Sequence, residues 1–365
     1  MIYIETDSAL EQACNHWLTL GRIALDSEFM RVDTFFPILA LIQINDGTET
    51  YLIDPLEINN WEPLKAVFVS QSVVKILHSP SEDFDAFYHN LGVLPSPILD
   101  SQLAASLASM GGIMGYQKLV KALVDIDLDK GETRSDWLKR PLTDSQLHYA
   151  AEDVNHLLKM MDTLEDKLNA LGRWQWLVDD CESMVSDWLA AQQKSYGLDR
   201  VKKAWTLKAH QLNVLNQLLI WREARCREVN KPRGHIINDA LLIEVATRLP
   251  QTINQLAMVR KEGEQVLELI VQCKDLPKEQ WPARLDRPLN QNAGDWFKSM
   301  RALVTKTAEE LDVPPEMLAR KKPLEAMLRA GYSTGPFPLP EALTGWRKDV
   351  ISNSLVELLN KLAGR

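Results

Sequence analysis

The sequence predicts an α/β N-terminal domain, a mixed sheet with flanking helices, followed by two all-α helical modules. Three observations carry that prediction. Short apolar runs rich in β-branched residues alternate with helical patterns up to about residue 170, and no strand signal follows them. The charge divides in the same way. Residues 1–195 hold 14 Lys+Arg against 30 Asp+Glu, and residues 196–365 hold 27 against 20, so a balance of −16 is followed by +7. Finally, 365 residues exceed what one ordinary core accommodates, so two or three domains are expected.

The composition, 45% apolar and 25% charged, is that of a globular chain and argues against long disorder. No apolar run is long enough to span a bilayer. The start, Met1-Ile2-Tyr3-Ile4-Glu5, has neither a basic region nor an apolar stretch of a secretion signal. Cys14, Cys181, Cys226 and Cys273 are far apart, which argues against zinc and disulfides and fits a reducing cytoplasm. Acids gathered at one site can hold metal, and bases can hold a polyanion such as nucleic acid.

Residues 1–5 read as an edge strand and 8–20 as a helix, with Leu10, Ala13, Trp17 and Leu20 at helical spacing. Residues 22–26 form a strand. Two more, 39–44 and 50–54, flank Asn45-Asp46-Gly47, a hairpin signal, so a three-stranded antiparallel meander is expected. A helix over 61–70, a strand over 73–78 and a helix opened by Ser79-Pro80-Ser81-Glu82 come next. Residues 98–100 are a short strand, and 101–109 and 117–124 are helices. Gly111-Gly112-Ile113-Met114-Gly115 lacks the pattern of a phosphate-binding loop. The polar loop 130–143 leads to Thr143-Asp144-Ser145-Gln146, a capping box, and a helix running on through Leu157 and Leu158. Residues 160–200 read as a helical connector whose Trp174, Trp176 and Trp188 pack, with a joint at Ser195-Tyr196-Gly197. Helices over 207–229, 239–249, 301–311, 315–320, 323–330 and 346–362 complete the chain, with a linker at 282–288. A shift of 82 residues pairs Pro232 with Pro314 and Leu242 with Leu324, a hint of a duplicated module.

Against this background five residues stand out. Asp26 and Glu28 are two apart at a strand end, so they share a face. Alone, Asp-x-Glu reads as a solvated turn; beside other acids, the pair is costly to desolvate unless a divalent cation neutralises it. Asp83 lies in the first turn of a helix that follows a strand. Tyr149 and Asp153 are four apart on a later helix and share its face. Four carboxylates with no His/Cys cluster suit Mg²⁺, with Mn²⁺ as the alternative. Two such ions per site would clamp the attacking and leaving oxygens of phosphodiester hydrolysis.

In their order and placement, Leu25-Asp26-Ser27-Glu28-Phe29, His78-Ser79-Pro80-Ser81-Glu82-Asp83-Phe84 and Tyr149-Ala150-Ala151-Glu152-Asp153-Val154 resemble the three motifs of the DEDD exonuclease superfamily, in its Tyr-containing branch. Within it the ribonuclease D family is the nearest likeness. The stretch Lys130-Gly131-Glu132-Thr133-Arg134-Ser135-Asp136-Trp137 and Arg140-Pro141-Leu142-Thr143 looks like the one that family carries ahead of its third motif. Trp221-Arg222-Glu223-Ala224-Arg225, Asn230-Lys231-Pro232-Arg233 and Ile237-Asn238-Asp239 look like the helicase-and-RNase-D C-terminal (HRDC) domain. Ser27 stands where the family usually has Thr, and no functional weight attaches to it at this level.

The resemblance implies a ribonuclease H-like exonuclease domain over 1–170, a helical connector over 171–204, an HRDC domain over 205–285 and a divergent second copy over 286–365. It implies a 3′→5′ exoribonuclease that trims tRNA precursors and other small structured RNAs. A monomer is the default expectation because no interface patch is legible, and the lack of a long apolar run leaves no membrane partner expected. Asp26 would bridge two metals, Glu28 and Asp153 would complete the site of the nucleophilic water, Asp83 would serve the second metal, and Tyr149 would orient the water. Phe29 and His78 are candidates for contact with the RNA end, with core packing as the alternative. Arg222, Arg225, Lys231 and Arg233 are candidates for its backbone. A DNA exonuclease uses the same acids, and a non-catalytic nucleic-acid-binding protein is the rival of another class.

Overall fold

The computed structural model describes residues 1–129, 131–194 and 196–364, and only the backbone of 257, 258, 260 and 261. Lys130 of the polar loop and Ser195 of the expected joint lie outside the described residues. The N-terminal elements are β1 (Ile2–Ile4), α1 (Asp7–Trp17), β2 (Arg22–Met30), β3 (Ile38–Asn45), β4 (Thr50–Ile53), α2 (Glu62–Val69), β5 (Val74–Leu77), α3 (Ser81–Leu91), β6 (Ile98–Asp100), α4 (Ser101–Leu107), α5 (Tyr116–Val124), α6 (Asp144–Asn155), α7 (Leu157–Ala170) and α8 (Trp174–Gln193). The helical part adds α9 (Ala209–Glu228), α10 (Arg233–Ile236), α11 (Asp239–Arg248), α12 (Gly263–Asp275), α13 (Gln291–Leu311), α14 (Pro315–Leu318), α15 (Lys321–Gly331) and α16 (Asn353–Leu362).

The six strands form one mixed sheet in the order β1-β4-β3-β2-β5-β6. β3 and β4 are antiparallel across the Asn45-Asp46-Gly47 turn, whereas β1 runs parallel to β4, and β5 parallel to both β2 and β6. The middle of the sheet is sealed: Ile23, Ala24, Leu25, Leu41, Ile42, Leu52, Ile76 and Leu77 expose none of their surface. Burying a large aliphatic side chain contributes about 1.5–3 kcal/mol, so a one-residue slip of β2 would be heavily penalised. The register of β2 is therefore fixed by its apolar half, and its polar half projects from a rigid base.

Besides α13, which starts at Gln291 and not at 301, two elements beside the acids differ from the sequence expectation. β2 continues to Met30 instead of ending at Asp26, so both acids sit within a strand. Its pairing with β5 covers only Arg22–Ala24, so the acid-bearing half runs past the end of β5. The helix expected to run through Leu157 breaks at His156. There the side chain of Asn155 is engaged by Thr50 and by Asn45 of β3, and His156 pairs with Glu152 (3.0 Å). The helical spacing of apolar residues continues across this break, which is why the pattern alone conceals it.

Contacts divide the chain into two units, Met1–Met30 with Leu39–Asp187 and Leu289–Arg365, and Arg31–Ile38 with Trp188–Pro288. In the first, α8 anchors the last helical module. The Trp176 ring stacks on Trp346 (4.2 Å between centroids, 4° between planes), and the Arg347 guanidinium grips Asp180 with two bonds (2.6 and 2.7 Å). The core of that module includes Met300, Leu318, Leu328, Leu355 and Leu359. In the second unit, Leu215, Leu218, Leu242, Val266 and Ile270 form the core.

The internal repeat is visible in the elements. A shift of 82 residues carries α9, α10 and α11 onto α13, α14 and α15. It also carries Asn230 (φ 48°) onto Asp312 (φ 51°), a left-handed turn in both copies. Asn and Asp adopt that conformation more readily than other side-chain-bearing residues.

Candidate active site

The alternation of a strand aims Asp26 and Glu28 to one side of β2, where each keeps partial exposure. β5 ends beside them at Leu77, and the chain turns through Ser79 in a left-handed conformation (φ 58°). Asp100 fixes that turn, accepting the Ser79 amide at 2.9 Å. α3 then starts, and Asp83 in its first turn faces β2, where its Oδ1 accepts the Ser27 hydroxyl at 2.6 Å. From the far side α6, opened by the expected capping box at Thr143 and Gln146, delivers Tyr149 and Asp153. All five residues line one cavity of about 420 Å³, together with Ser27, Phe29, His78, Ser79, Glu82, Tyr116, Thr133 and Leu157.

Among the described residues, no Lys or Arg lines this cavity. The electrostatic consequence is large. Burial, then repulsion from Asp83, Asp153 and Glu28, holds the Asp26 carboxyl well above the usual carboxylate range. Burial and the charges of Asp153 and Asp83 push Glu28 up to about 9. Burial raises Asp153 to about 7, with Glu152 and Asp83 adding to it. Asp83 is raised to about 6 by burial, a shift that its bond to Ser27 opposes. Among the described residues no three Asp, Glu, His or Cys side chains converge into a preformed cage. The acids instead border an open cleft, a donor set that suits a hard cation keeping several waters and substrate oxygens in its shell. The residues therefore fit divalent metal. A cavity of about 490 Å³ in the helical unit, lined by Glu244, Arg248, Leu249 and Gln251 among others, has no comparable group of acids among the described residues.

Tyr149 is braced from the polar loop. The buried Trp137 ring lies 6.0 Å from the Tyr149 ring, and the Thr133 hydroxyl is 3.4 Å from the Tyr149 hydroxyl. Arg140 pins this loop to the sheet, donating to Asp54 Oδ1 (2.7 Å), the Ala40 carbonyl (2.7 Å) and the Trp137 carbonyl (2.7 Å). Burial, then the Asp153 charge, pushes the Tyr149 phenol up to about 12. At neutral pH it is a hydrogen-bond donor and not a base.

The candidate substrate contacts fare differently. Phe29 and His78 both line the cavity. His78 Nδ1 lies 2.9 Å from Ser101 Oγ, its ring packs edge-on to Tyr116 (5.6 Å), and burial lowers it to about 4, so it is neutral at pH 7. Arg222 is 1% exposed, bound to Asp239 (2.7 Å) and the Ile237 carbonyl (3.0 Å), which leaves it no surface to offer a phosphate. Arg225 pairs with Glu228 (3.0 Å), and Arg233 with Glu223 (2.8 Å). Arg233 also lies over the Phe35 and Tyr196 rings, and Lys231, an exposed residue, donates to the Asp33 carbonyl (3.2 Å). Ser27, Tyr116 and Thr133 are site residues that sequence reasoning passes over. For Ser27 the available signal is a hydroxyl between two acids, which strand alternation turns away from them.

Comparison with known proteins covers nearly the whole chain. A model of the 3′-5′ exonuclease family matches residues 1–169, one of the HRDC domain matches 211–272, and one of the ribonuclease D C-terminal HRDC domain matches 294–355. A ribonuclease D of Pseudomonas paraeruginosa is 41% identical over 98% of this chain and 97% of its own length. The crystal structure of Escherichia coli RNase D, described as an exoribonuclease involved in structured RNA processing, superimposes with a TM-score of 0.89 at 32% identity, covering 98% of both chains.

Proposed function

This chain belongs to the ribonuclease D family of 3′→5′ exoribonucleases, and we propose that its cleft trims the 3′ ends of tRNA precursors and other small structured RNAs, releasing 5′-mononucleotides. The observation that carries the reading is the set of four carboxylates and one tyrosine on a single cavity whose described lining holds no lysine or arginine. A polyanion can enter such a cleft only with cations. Mg²⁺, or Mn²⁺ in its place, bound as a pair, would lower the pKa of the attacking water and stabilise charge on both oxygens of the broken bond.

Each residue has a role that its position supports. Asp26, repelled by all three other acids, would help to hold both ions. Glu28 and Asp153 would help to hold the ion that supplies the attacking water, and Asp83 would help to hold the other. Tyr149 donates its proton in a hydrogen bond that orients the attacking water. Phe29 offers a ring to the terminal base or sugar, since single-stranded ends are held by stacking. The exposed bases of the helical domains, Lys231 among them, hold the RNA body. The four free, buried cysteines support a reducing cytoplasmic setting, and the proposal takes the chain as a monomer. No described helix is long and apolar enough to cross a membrane.

The deciding experiment is degradation of a tRNA with a 3′ extension, with and without chelator, beside a DNA strand of matched sequence. Mg²⁺-dependent release of 5′-mononucleotides from the RNA is expected. Preferred cleavage of the DNA would favour the DNA exonuclease, and binding without hydrolysis would favour the non-catalytic rival. For Tyr149→Phe, kcat is expected to fall by about 10–100-fold with little change in KM, the scale of one hydrogen bond to a developing charge. The alkaline side of the pH profile should stay where it is, because the phenol is not the base. A displaced alkaline limb in the variant would sink that assignment.

A further inference from the structure

The hydrogen bond from Ser27 to Asp83 joins the first acid motif to the second across two elements. Ser27 is 7% exposed and so is Asp83, and the contact is short at 2.6 Å. Asp83 sits on α3, whose approach to the sheet is set by the turn after β5 and by Asp100. That fixes the helix, while the carboxyl group at its first turn is held by the backbone amides of Ser27 and of Asp83 itself and by the Ser27 hydroxyl. A carboxylate has two oxygens, and a metal or its water can use only an oxygen that faces the cleft. Ser27 occupies Oδ1 from the strand side, which orients the opposite edge of Asp83 to the cavity both residues line.

We propose that Ser27 is a positioning residue for the metal site, acting through Asp83. This rests on the metal-dependent reading of the cleft. Serine lacks the γ-methyl that stiffens threonine in a strand, so at Ser27 the bond to Asp83 selects the side-chain rotamer. The hydroxyl, not the side-chain volume, is the part that matters. Strand alternation makes this arrangement economical. The residue between two metal-facing acids necessarily points the other way, and here that direction is where α3 packs.

The test is Mn²⁺ binding to the RNA-free protein, followed by the paramagnetic resonance signal of the free ion, with thermal melting to verify folding. Ser27→Thr and Ser27→Val have nearly the same shape and differ in the hydroxyl. Ser27→Val and Ser27→Ala are expected to bind Mn²⁺ about tenfold more weakly at the weaker site, the loss of one hydrogen bond to a charged group. Ser27→Thr is expected to bind as the parent does. In an Asp83→Asn background, Ser27→Ala should add nothing, because the residue it works through is already lost. Wild-type Mn²⁺ affinity in both Val and Ala variants overturns the proposal. So does a weakening that persists in full beside Asp83→Asn, or a Thr variant as impaired as Val. Absence of Mn²⁺ binding by the parent protein would instead overturn the metal reading of the cleft itself.

Discussion

Asp26→Asn is expected to slow hydrolysis of an RNA 3′ end by at least about 10³-fold, while RNA affinity stays within about twofold of the parent. Asp26 is the acid that the other three all repel, so its neutralisation is expected to weaken the proposed cation binding in the cleft most. Losing a metal-centred stabilisation of several kcal/mol, at about 1.4 kcal/mol per tenfold, gives that magnitude. The grip on RNA is expected from the basic helical half and not from this acid. Single-turnover cleavage and fluorescence anisotropy on the same labelled RNA separate the two effects. A variant retaining activity within about tenfold of the parent, or losing RNA affinity in proportion, would remove Asp26 from the centre of the site.

The second large effect is on stability. The metal-free protein is expected to lose thermal stability as pH rises from about 5 to about 9, and saturating Mg²⁺ should abolish most of that loss. The sign follows from the direction of the shifts. Asp83 is raised to about 6, Asp153 to about 7 and Glu28 to about 9, with Asp26 also well above its ordinary range. The unfolded chain titrates these groups near ~4, so between these limits the folded state holds more protons and its stability falls as pH rises. Below about pH 4 both states are protonated and the contribution is fully present. Mg²⁺ displaces those protons, and a ligand present at a hundredfold its Kd adds about 2.7 kcal/mol. Calorimetric titration in two buffers of different ionisation enthalpy should therefore show protons released on Mg²⁺ binding at pH 7. A metal-free melting temperature that is flat across this range, with no proton release, would contradict it. Asparagine cannot ionise, so Asp26→Asn should lose stability less steeply with pH than the parent.

Much of this site is legible in the amino-acid sequence alone. Asp26 and Glu28 share a face because a strand repeats every two residues, and Tyr149 and Asp153 share one because a helix repeats near four. Asp83 is marked by the Ser-Pro-Ser-Glu helix start. Those are local rules, and the structure brings all five residues to one cavity. The role of individual bases is not legible in the same way. The balance of +7 points to a polyanion, yet Arg222 is buried on Asp239, because which carboxylate meets which guanidinium is set by packing among α9, α10 and α11.

What the sequence determined by itself was the order of elements, the acid and tyrosine set, the repeated helical module and the division of charge. Each depends on spacing along one strand or helix, where covalent geometry fixes direction. What only the tertiary structure decided was the reach of β2 to Met30, the break at His156, the bracing of Tyr149 by Trp137 and Thr133, and the bond from Ser27 to Asp83. They depend on contacts between elements distant in sequence, 56 residues apart for Ser27 and Asp83 and 105 for Thr50 and Asn155 beside the break. No periodicity encodes them, because they arise only when burial of the apolar sheet and helix faces has fixed how the elements pack.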